Sequence, residues 1–519
     1  MKYIYKLKLK NFCKFKDLTI EFDENLNILL GVNEAGKSTI LSAIDIVLSG
    51  SRSKVETYGL ESLFNNETIQ EFLSSDKKIE NLPVLYIELY INENGNKDLD
   101  GKYNSLNESG HGLLLICEPR EDLSKEIKEI LNQNGSNFPF EYYSMNFKTF
   151  SGESFTGYRK FISHLLLDNT QINNEYATKR YIKTIYQANT TDPERSKYQN
   201  EYRNQKKIFE ENKLVTLNSK VNEYSFSIRS NSKSNLETDL SIQENNIDIE
   251  NRGKGRQCFI KTDFALQKNG NDLDIILLEE PENHLSHLNM KKLIEKIKDS
   301  TRKQLFITTH NSLISTRLDL RKSVFLNSSN DSFMLLKDLK KETAEFFMKA
   351  PDNNILEYVL SKKVILVEGD AEFILMQEFF ELITMKKPEE LDVHIISVDG
   401  TSFKRYLEIS KILKIKTAVI RDNDGDRNEM MERYSEYRND ENIKIFIDSN
   451  NELTTFEIAI CNENKKICDD LFLEGRRTLS VQEYMLKNKA DCAFKLLDAT
   501  KEDLVSPKYI REAIKWIKE

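Results

Sequence analysis

Gly31-Val-Asn-Glu-Ala-Gly36-Lys37-Ser38-Thr39 is the stretch on which the reading of this chain turns. It has the spacing G-x-x-x-x-G-K-[ST]. Glycines at both ends let backbone N–H groups turn inward around phosphate oxygens. A helix starting at Lys37 would aim its positive end at the same anion. The lysine is expected to reach the β- and γ-phosphates, and the Ser38 hydroxyl to hold Mg²⁺. Asn33, Gly36 and Thr39 complete the expected nucleotide contacts. A chance glycine-rich turn would not need a strand before it and a helix after it. Here the apolar run Leu26–Leu30 precedes the loop, and Ile40, Ile44 and Val47 follow at helical spacing.

Upstream, Tyr3–Leu9 alternates and Leu18–Phe22 is apolar, so both read as strands, as does Val84–Ile91. Downstream, Ile275–Leu278 and Leu305–Thr308 read as buried strands, with helical spacing between them over His287–Lys298. The first of these runs delivers Glu279-Glu280-Pro281-Glu282 at its end. Glu279 is expected to orient the Mg²⁺ shell, and Glu280 to polarise an attacking water. Two glutamates after a strand are ordinarily a solvated strand end; a phosphate loop in the same chain gives them a partner. His310, just beyond Leu305–Thr308, is placed to sense a γ-phosphate, although a lone histidine is as readily a cap or a core residue. Arg252-Gly253-Lys254-Gly255-Arg256-Gln257 precedes a helical stretch. Gly253, Gly255 and Gln257 are expected to face a nucleotide held by another subunit.

A different pattern begins at Lys363. Val364–Val367, His394–Val398, Thr417–Ile420 and Ile443–Ile447 read as strands, with helices over Ala371–Ile383 and Phe403–Leu413. Strands alternating with helices imply a parallel sheet, whose sites lie at the carboxyl ends of its strands. Glu368 follows the first strand; Asp422 and Asp424 follow the third. Two residues apart on extended backbone, those aspartates would point the same way. Clustered carboxylates repel unless a cation holds them, and oxygen-only ligands suit Mg²⁺ or Mn²⁺. A calcium loop of the EF-hand kind would need helices on both sides, and a strand precedes this one.

The chain has 519 residues, enough for two or three domains, and a net charge of −9. That charge argues weakly against binding nucleic acid over the whole surface, so DNA contact would use local patches or metal ions. Six cysteines without a C-x-x-C pair speak against a zinc ribbon and fit free thiols in a reducing cytoplasm. No signal peptide or membrane span is recognisable, so a cytoplasmic protein is expected. From Ser151 to Asp248 the chain turns polar, with long helices expected over Arg180–Phe209; this reads as an insertion for self-association or as a plain solvated arm. Ser328–Leu360 reads as a polar helical linker. The expected fold is therefore α/β, with an ATPase domain over 1–345 carrying a helical insertion at 151–248, and a Rossmann-like parallel-sheet domain over 361–519.

Phosphate loop, glycine-rich signature, twin glutamates and histidine in that order resemble the ABC/SMC class of ATPases, and Leu277–Leu285 (LLEEPENHL) resembles the overcoming-lysogenization-defect (OLD) family. Glu279 stands where many such ATPases have Asp, and no matching glutamine is found for the loop that usually links ATP to the effector domain. Glu368-Gly369 on one strand with Asp422-x-Asp424 on another resembles the Toprim domain of topoisomerases, primases and OLD nucleases. Asp399-Gly400 after the second strand and Pro507–Ile517 as a closing helix also fit. Within that resemblance Glu372 is implied as a further ligand, Glu457 (in Thr455-Phe-Glu) as a ligand of a second metal, and Lys489 as stabiliser of the transition state, a role that Lys487 of the same basic motif could also fill. The family implies an ATP-binding, metal-dependent endonuclease that forms at least a dimer and acts on DNA. It also implies a setting in bacterial anti-phage defence, with a protein or retron nucleic acid as possible partner. The alternative is a regulatory or DNA-binding ATPase whose Toprim domain does not cut. An SMC-like tether is disfavoured, because 151–248 is too short and irregular for heptad arms.

Overall fold

The computed structural model describes the chain except residues 1, 94, 133–136, 158, 160, 170–174, 232–233, 267–272, 301, 312–313, 315–316, 327–332, 351–353, 399–401, 474–478 and 501–502. It divides into two compact units: Met1–Ile314 with Lys322–Phe333, and Ser315–Arg321 with Met334–Glu519.

Among the described residues the first unit contains two large sheets and a small antiparallel pair, Gln243–Glu244 with Ile247–Asp248. In the large antiparallel sheet, Tyr3–Phe12 pairs with Phe15–Glu21 on one side and with Leu85–Asn92 on the other. Gly110–Pro119 and Tyr143–Thr149 continue it. The alternating lysines of Tyr3–Phe12 stay at the surface while Leu7 and Leu9 are buried. A bulge between Ile4 and Lys6 shifts the register, so Ile4 is buried as well although its spacing to Leu7 is odd.

The second sheet is parallel through Ser323–Leu326, Leu26–Leu30, Gln304–Thr308, Ile275–Glu279 and His164–Asp168, in that spatial order. Ile275–Leu278 is wholly buried, as expected for strands covered on both faces. The helix Lys37–Ser49 packs against it, with Ile40, Ala43, Ile44 and Val47 buried.

The reading of 151–248 as one insertion needs correction. His164–Asp168 is a strand of the core sheet, and Phe155, Phe161 and Ile162 are buried with it. Three leucines between His and Asp are too short a run to display a strand period, and only pairing with Ile275–Glu279 reveals them. The polar arm follows this strand as Glu175–Ala188 and Asp192–Phe209. The second helix opens where Glu194 accepts hydrogen bonds from the N–H and hydroxyl of Thr191, and it buries no residue.

In the second unit a four-stranded parallel sheet runs Val393–Ser397, Lys363–Val367, Lys416–Arg421, Ile443–Ile447. Helices Asp370–Thr384, Lys489–Thr500 and Lys508–Lys518 close one core, built on Phe379, Phe380, Leu496, Ile510 and Ile514. The stretch read as a linker also needs correction, since its two helices belong to this unit. In Lys341–Lys349, Thr343 donates to Glu408. In Ile355–Leu360 the fully buried Tyr358 donates to the Tyr406 carbonyl. A six-residue helix is too short to show a helical period in the sequence. All six cysteines are free thiols. Among the described residues, no helix is long and apolar enough to cross a membrane.

Candidate nucleotide and metal sites

Strand Leu26–Leu30 ends in the phosphate loop, and the helix begins at Lys37. Gly36 has φ +96°, and a Cβ there would sit 2.4 Å from the Phe15 ring, so both backbone and packing demand glycine. A Cβ on Gly31 would press on Ala35 and on the Leu326 carbonyl at 2.8 Å. Asn33 and Ser38 are exposed and Thr39 is half-buried. The Lys37 ammonium is buried and donates to the carbonyls of Gly31 (2.7 Å) and Val32 (3.0 Å). Burial pulls its pKa down to about 8, opposed by the charges of Glu280, Glu282 and Glu279.

The twin-glutamate strand delivers its carboxylates to this loop. Glu279 accepts a hydrogen bond from Ser38; burial raises its pKa, and Asp168 and Glu280 push the same way. Glu280 has φ +44°, a left-handed conformation that costs energy for a side chain bearing a Cβ, and its N–H is held by the Thr308 carbonyl. Its carboxylate accepts from Asn283 Nδ2 at 2.9 Å and lies 3.3 Å from His310 Nε2. Burial and the Lys37 charge lower the His310 pKa.

Sequence reasoning gave no role to Glu282, yet it is the brace of the site. It accepts from the Thr309 hydroxyl at 2.5 Å and from the His310 N–H at 3.0 Å, and burial raises its pKa. The E-P-E continuation was the available signal. In the signature loop, a Cβ on Gly255 would lie 2.1 Å from the His284 carbonyl, so glycine permits this loop to pack on the segment after the glutamates. Gln257 donates to the carbonyls of Glu250 and Arg252, bracing its own loop, while Gly253 is open on its Cβ side.

In the second unit, Glu368 and Asp422 each follow a strand of the parallel sheet. The expectation that Asp422 and Asp424 share an extended backbone is not met. Asp424 has φ +49°, and its N–H bonds to Thr454, so a turn rather than strand alternation sets its direction. Gly425 and the side-chain bonds of Asn423 hold that turn, and Asp426 caps the helix Arg427–Arg433. Leu366 is the last residue of its strand to pair with the third strand, at Val419, so Glu368 and Asp422 both lie just past the paired ends of neighbouring strands.

Charge coupling joins these acids, with Glu457 and Lys489 acting on both Glu368 and Asp422. The Glu368 pKa is raised by burial, opposed by Arg421 and reinforced by Asp424. Asp422 is pushed up to about 8 by burial and by Glu372, Glu368 and Glu457, with Lys489 opposing. Burial, then Glu457, holds Glu372 at about 7. Glu457, 3 % exposed on the helix Phe456–Glu463, has the Lys489 ammonium 3.0 Å from its Oε1. That ion pair raises the Lys489 pKa against the effect of burial. Buried oxygens Glu368 Oε2 and Glu457 Oε2 have no hydrogen-bond partner among the described residues. Equally, among the described residues no three His, Cys, Asp or Glu side chains stand at ligand spacing. Mutually repelling carboxylates at this depth do not close on one another unaided. The donor set is all oxygen, with orphaned oxygens, and it fits a hard divalent cation better than a thiolate-seeking one.

Two neighbours went unread in the sequence. Arg421 donates to the Tyr434 hydroxyl at 2.6 Å and lies over the Phe403 ring. Tyr509, on the closing helix Lys508–Lys518, is buried; burial first and then Asp422 and Glu372 raise its pKa. Asp399 and Gly400 lie outside the described residues.

Comparison with known proteins agrees with this division. Residues 1–314 match the family model of the AAA ATPase domain. Residues 359–424 match the model described as overcoming lysogenization defect protein-like, TOPRIM domain. Curated relatives include the DNA replication and repair protein RecF of Acetivibrio thermocellus, 48% identical over 48 residues (9% of this chain, 13% of that protein). RecF of Clostridium kluyveri is 34% identical over 133 residues (24% and 35%). This chain thus spans about a third or less of the curated relatives it matches. Among solved structures, an SMC head bound to the C-winged helix domain of ScpA is similar at 15% identity and TM-score 0.37, covering 65% of this chain and all of that one. The C-terminal region of the Xanthomonas campestris pv. campestris OLD protein is similar at 21% identity and TM-score 0.25, covering 31% and 94%.

Proposed function

The chain belongs to the AAA ATPase domain family and joins that domain to an OLD-like Toprim domain, and from this premise we propose that it is an ATP-controlled, Mg²⁺- or Mn²⁺-dependent DNA endonuclease. One observation carries the reading: Glu368, Glu372, Asp422 and Glu457 are electrostatically coupled at the carboxyl end of one parallel sheet, with Lys489 on Glu457. Glu368, Asp422 and Asp424 would hold one cation, and Glu372 with Glu457 a second. A bound divalent cation supplies an activated water and charge relief at a leaving oxygen. Lys489 brings a mobile positive charge, half exposed to solvent, to the place where a phosphodiester would gain negative charge.

In the ATPase unit, Lys37 and the loop amides bind the phosphates, Ser38 and Glu279 hold the nucleotide's Mg²⁺, and Glu280 orients water with His310 beside it. Gly253, Gly255 and Gln257 would close over the nucleotide of a second copy, which makes the working form a homodimer or larger. The setting would be the bacterial cytoplasm, in defence against phage. Equal phage plating on cells carrying the native chain and on cells carrying Asp422→Ala would remove that setting.

The direct test is nicking of supercoiled plasmid. Full-length chain with Mg²⁺ or Mn²⁺ should convert it to open circle or linear DNA, and Asp422→Ala should reduce the rate about 100-fold or more. Full cutting by that variant, or none by the native chain with either ion, ends the nuclease reading. The second reading is an ATPase whose Toprim domain binds without cutting. The same assay separates the two.

A further inference from the structure

Asp168, to which sequence reasoning gave no role, stands at the nucleotide site. Strand His164–Asp168 runs parallel to the twin-glutamate strand, with His164 opposite Ile275 and Asp168 opposite Glu279. Paired residues of parallel strands face the same side of the sheet, as do alternate residues along each strand. His164 and Asp168 therefore share a face with Glu279.

Two contacts identify that face. At one end His164 Nε2 lies 3.0 Å from Asp45 Oδ1, in the helix Lys37–Ser49. At the other end Glu279 accepts from Ser38, at the start of the same helix. From His164 to Asp168 a strand advances about 13 Å. From Asp45 back to Ser38 a helix covers about 10 Å. Strand and helix run past one another over matched lengths, which brings Asp168 to the level of Ser38 and Glu279. Consistent with this, Asp168 heads the neighbouring charges acting on Glu279.

The next residue adds an independent sign. Asn169 is 3 % exposed, and its Nδ2 has no hydrogen-bond partner among the described residues. A buried amide donor left unmatched marks a place for an oxygen acceptor.

We infer that Asp168 is a further oxygen donor to the divalent cation of the bound nucleoside triphosphate, beside Ser38 and Glu279. Asp168 takes this role only if Gly31–Thr39 binds nucleotide, as proposed above, and the experiment separates the two. Binding of the fluorescent nucleotide mant-ATP and turnover of ATP are titrated with Mg²⁺ for the full-length parent, Asp168→Asn, Asp168→Ser, Asp168→Glu and Lys37→Ala. Asp168→Asn should raise the Mg²⁺ concentration for half-maximal turnover about tenfold. It should leave mant-ATP affinity in EDTA within about twofold of the parent, because the phosphate loop itself is untouched. Asp168→Glu, which keeps the carboxylate, should recover part of the Mg²⁺ response. An unchanged Mg²⁺ midpoint in Asp168→Asn overturns the assignment. Should Asp168→Asn lose EDTA-resistant binding through misfolding, the midpoint of Asp168→Ser decides, and a value equal to the parent's again overturns it. If Lys37→Ala binds mant-ATP as tightly as the parent, the nucleotide reading itself falls.

Discussion

The two sites share a plan and differ in how they are held. Each lies at the carboxyl ends of parallel strands. At the phosphate loop the charged groups are tied down: Lys37 to two carbonyls, Glu279 to Ser38, Glu280 to Asn283, Glu282 to Thr309 and His310. At the Toprim end, acids act on one another with few hydrogen bonds to hold them, and the pKa values of Glu372 and Asp422 are pushed up to about 7 and about 8; Glu368 Oε2 and Glu457 Oε2 are unpaired among the described residues, as is Glu282 Oε2 at the phosphate loop. A site built on hydrogen bonds is organised by the chain alone. A site built on like charges is organised by whatever neutralises them. The phosphate loop should therefore keep its arrangement without a cation, and the carboxylate end should depend on one.

The sharpest way to break this contrast is Lys489→Met. Removing the cation from Glu457 should slow plasmid nicking by about 100-fold, while leaving mant-ATP binding as in the parent. Nicking at the parent rate would leave Lys489 as a surface ion pair of Glu457 and nothing more.

Next in size is Gly36→Ala, read by mant-ATP affinity and by thermal unfolding. Its φ of +96° and the Phe15 ring 2.4 Å from a Cβ leave no unstrained solution. Nucleotide affinity should fall at least about tenfold, with a stability loss on the order of 1–3 kcal/mol. Unchanged binding would mean that the loop tolerates rearrangement and is less rigid than its hydrogen bonds imply.

The smallest effect is graded and concerns pH. Glu372 and Asp422 carry folded-state pKa values of about 7 and about 8, above those of unfolded carboxylates. Groups with raised pKa stabilise the fold at low pH, and that contribution is lost as pH climbs through the folded values. Metal-free protein should thus melt at progressively lower temperature from pH 6 to pH 8. Divalent ions compete with those protons, so Mn²⁺ affinity should rise over the same window, by roughly tenfold per pH unit for each proton displaced. Calorimetry at three pH values measures both trends. A flat Mn²⁺ affinity would show that Glu372 and Asp422 are already ionised, and the contrast between the sites would shrink.

Local chemistry made one site legible. Gly31–Thr39 is contiguous, so strand, loop, glycines and lysine announce themselves without any partner, and Glu279-Glu280 does the same at a strand end. Glu368 and Asp422 were legible as candidates because each follows an apolar strand, whereas Glu372 and Glu457 came only with the family resemblance. Their grouping was not legible, since a left-handed residue redirects Asp424 and Glu372 and Glu457 arrive on helices from other parts of the chain. Tyr509 and Asp168 carry no signal of their own, because each acquires meaning only from what the fold sets beside it.

By itself, then, the sequence determined the two α/β units, the phosphate loop and the identities of the acids, all of which follow from spacing along one strand or turn. Tertiary structure decided that His164–Asp168 belongs to the core sheet, which face each carboxylate occupies, and which charges meet at depth. The physical reason is range. Periodicity and turn chemistry act over a few neighbouring residues, whereas burial and charge coupling depend on strands brought side by side from distant parts of the chain.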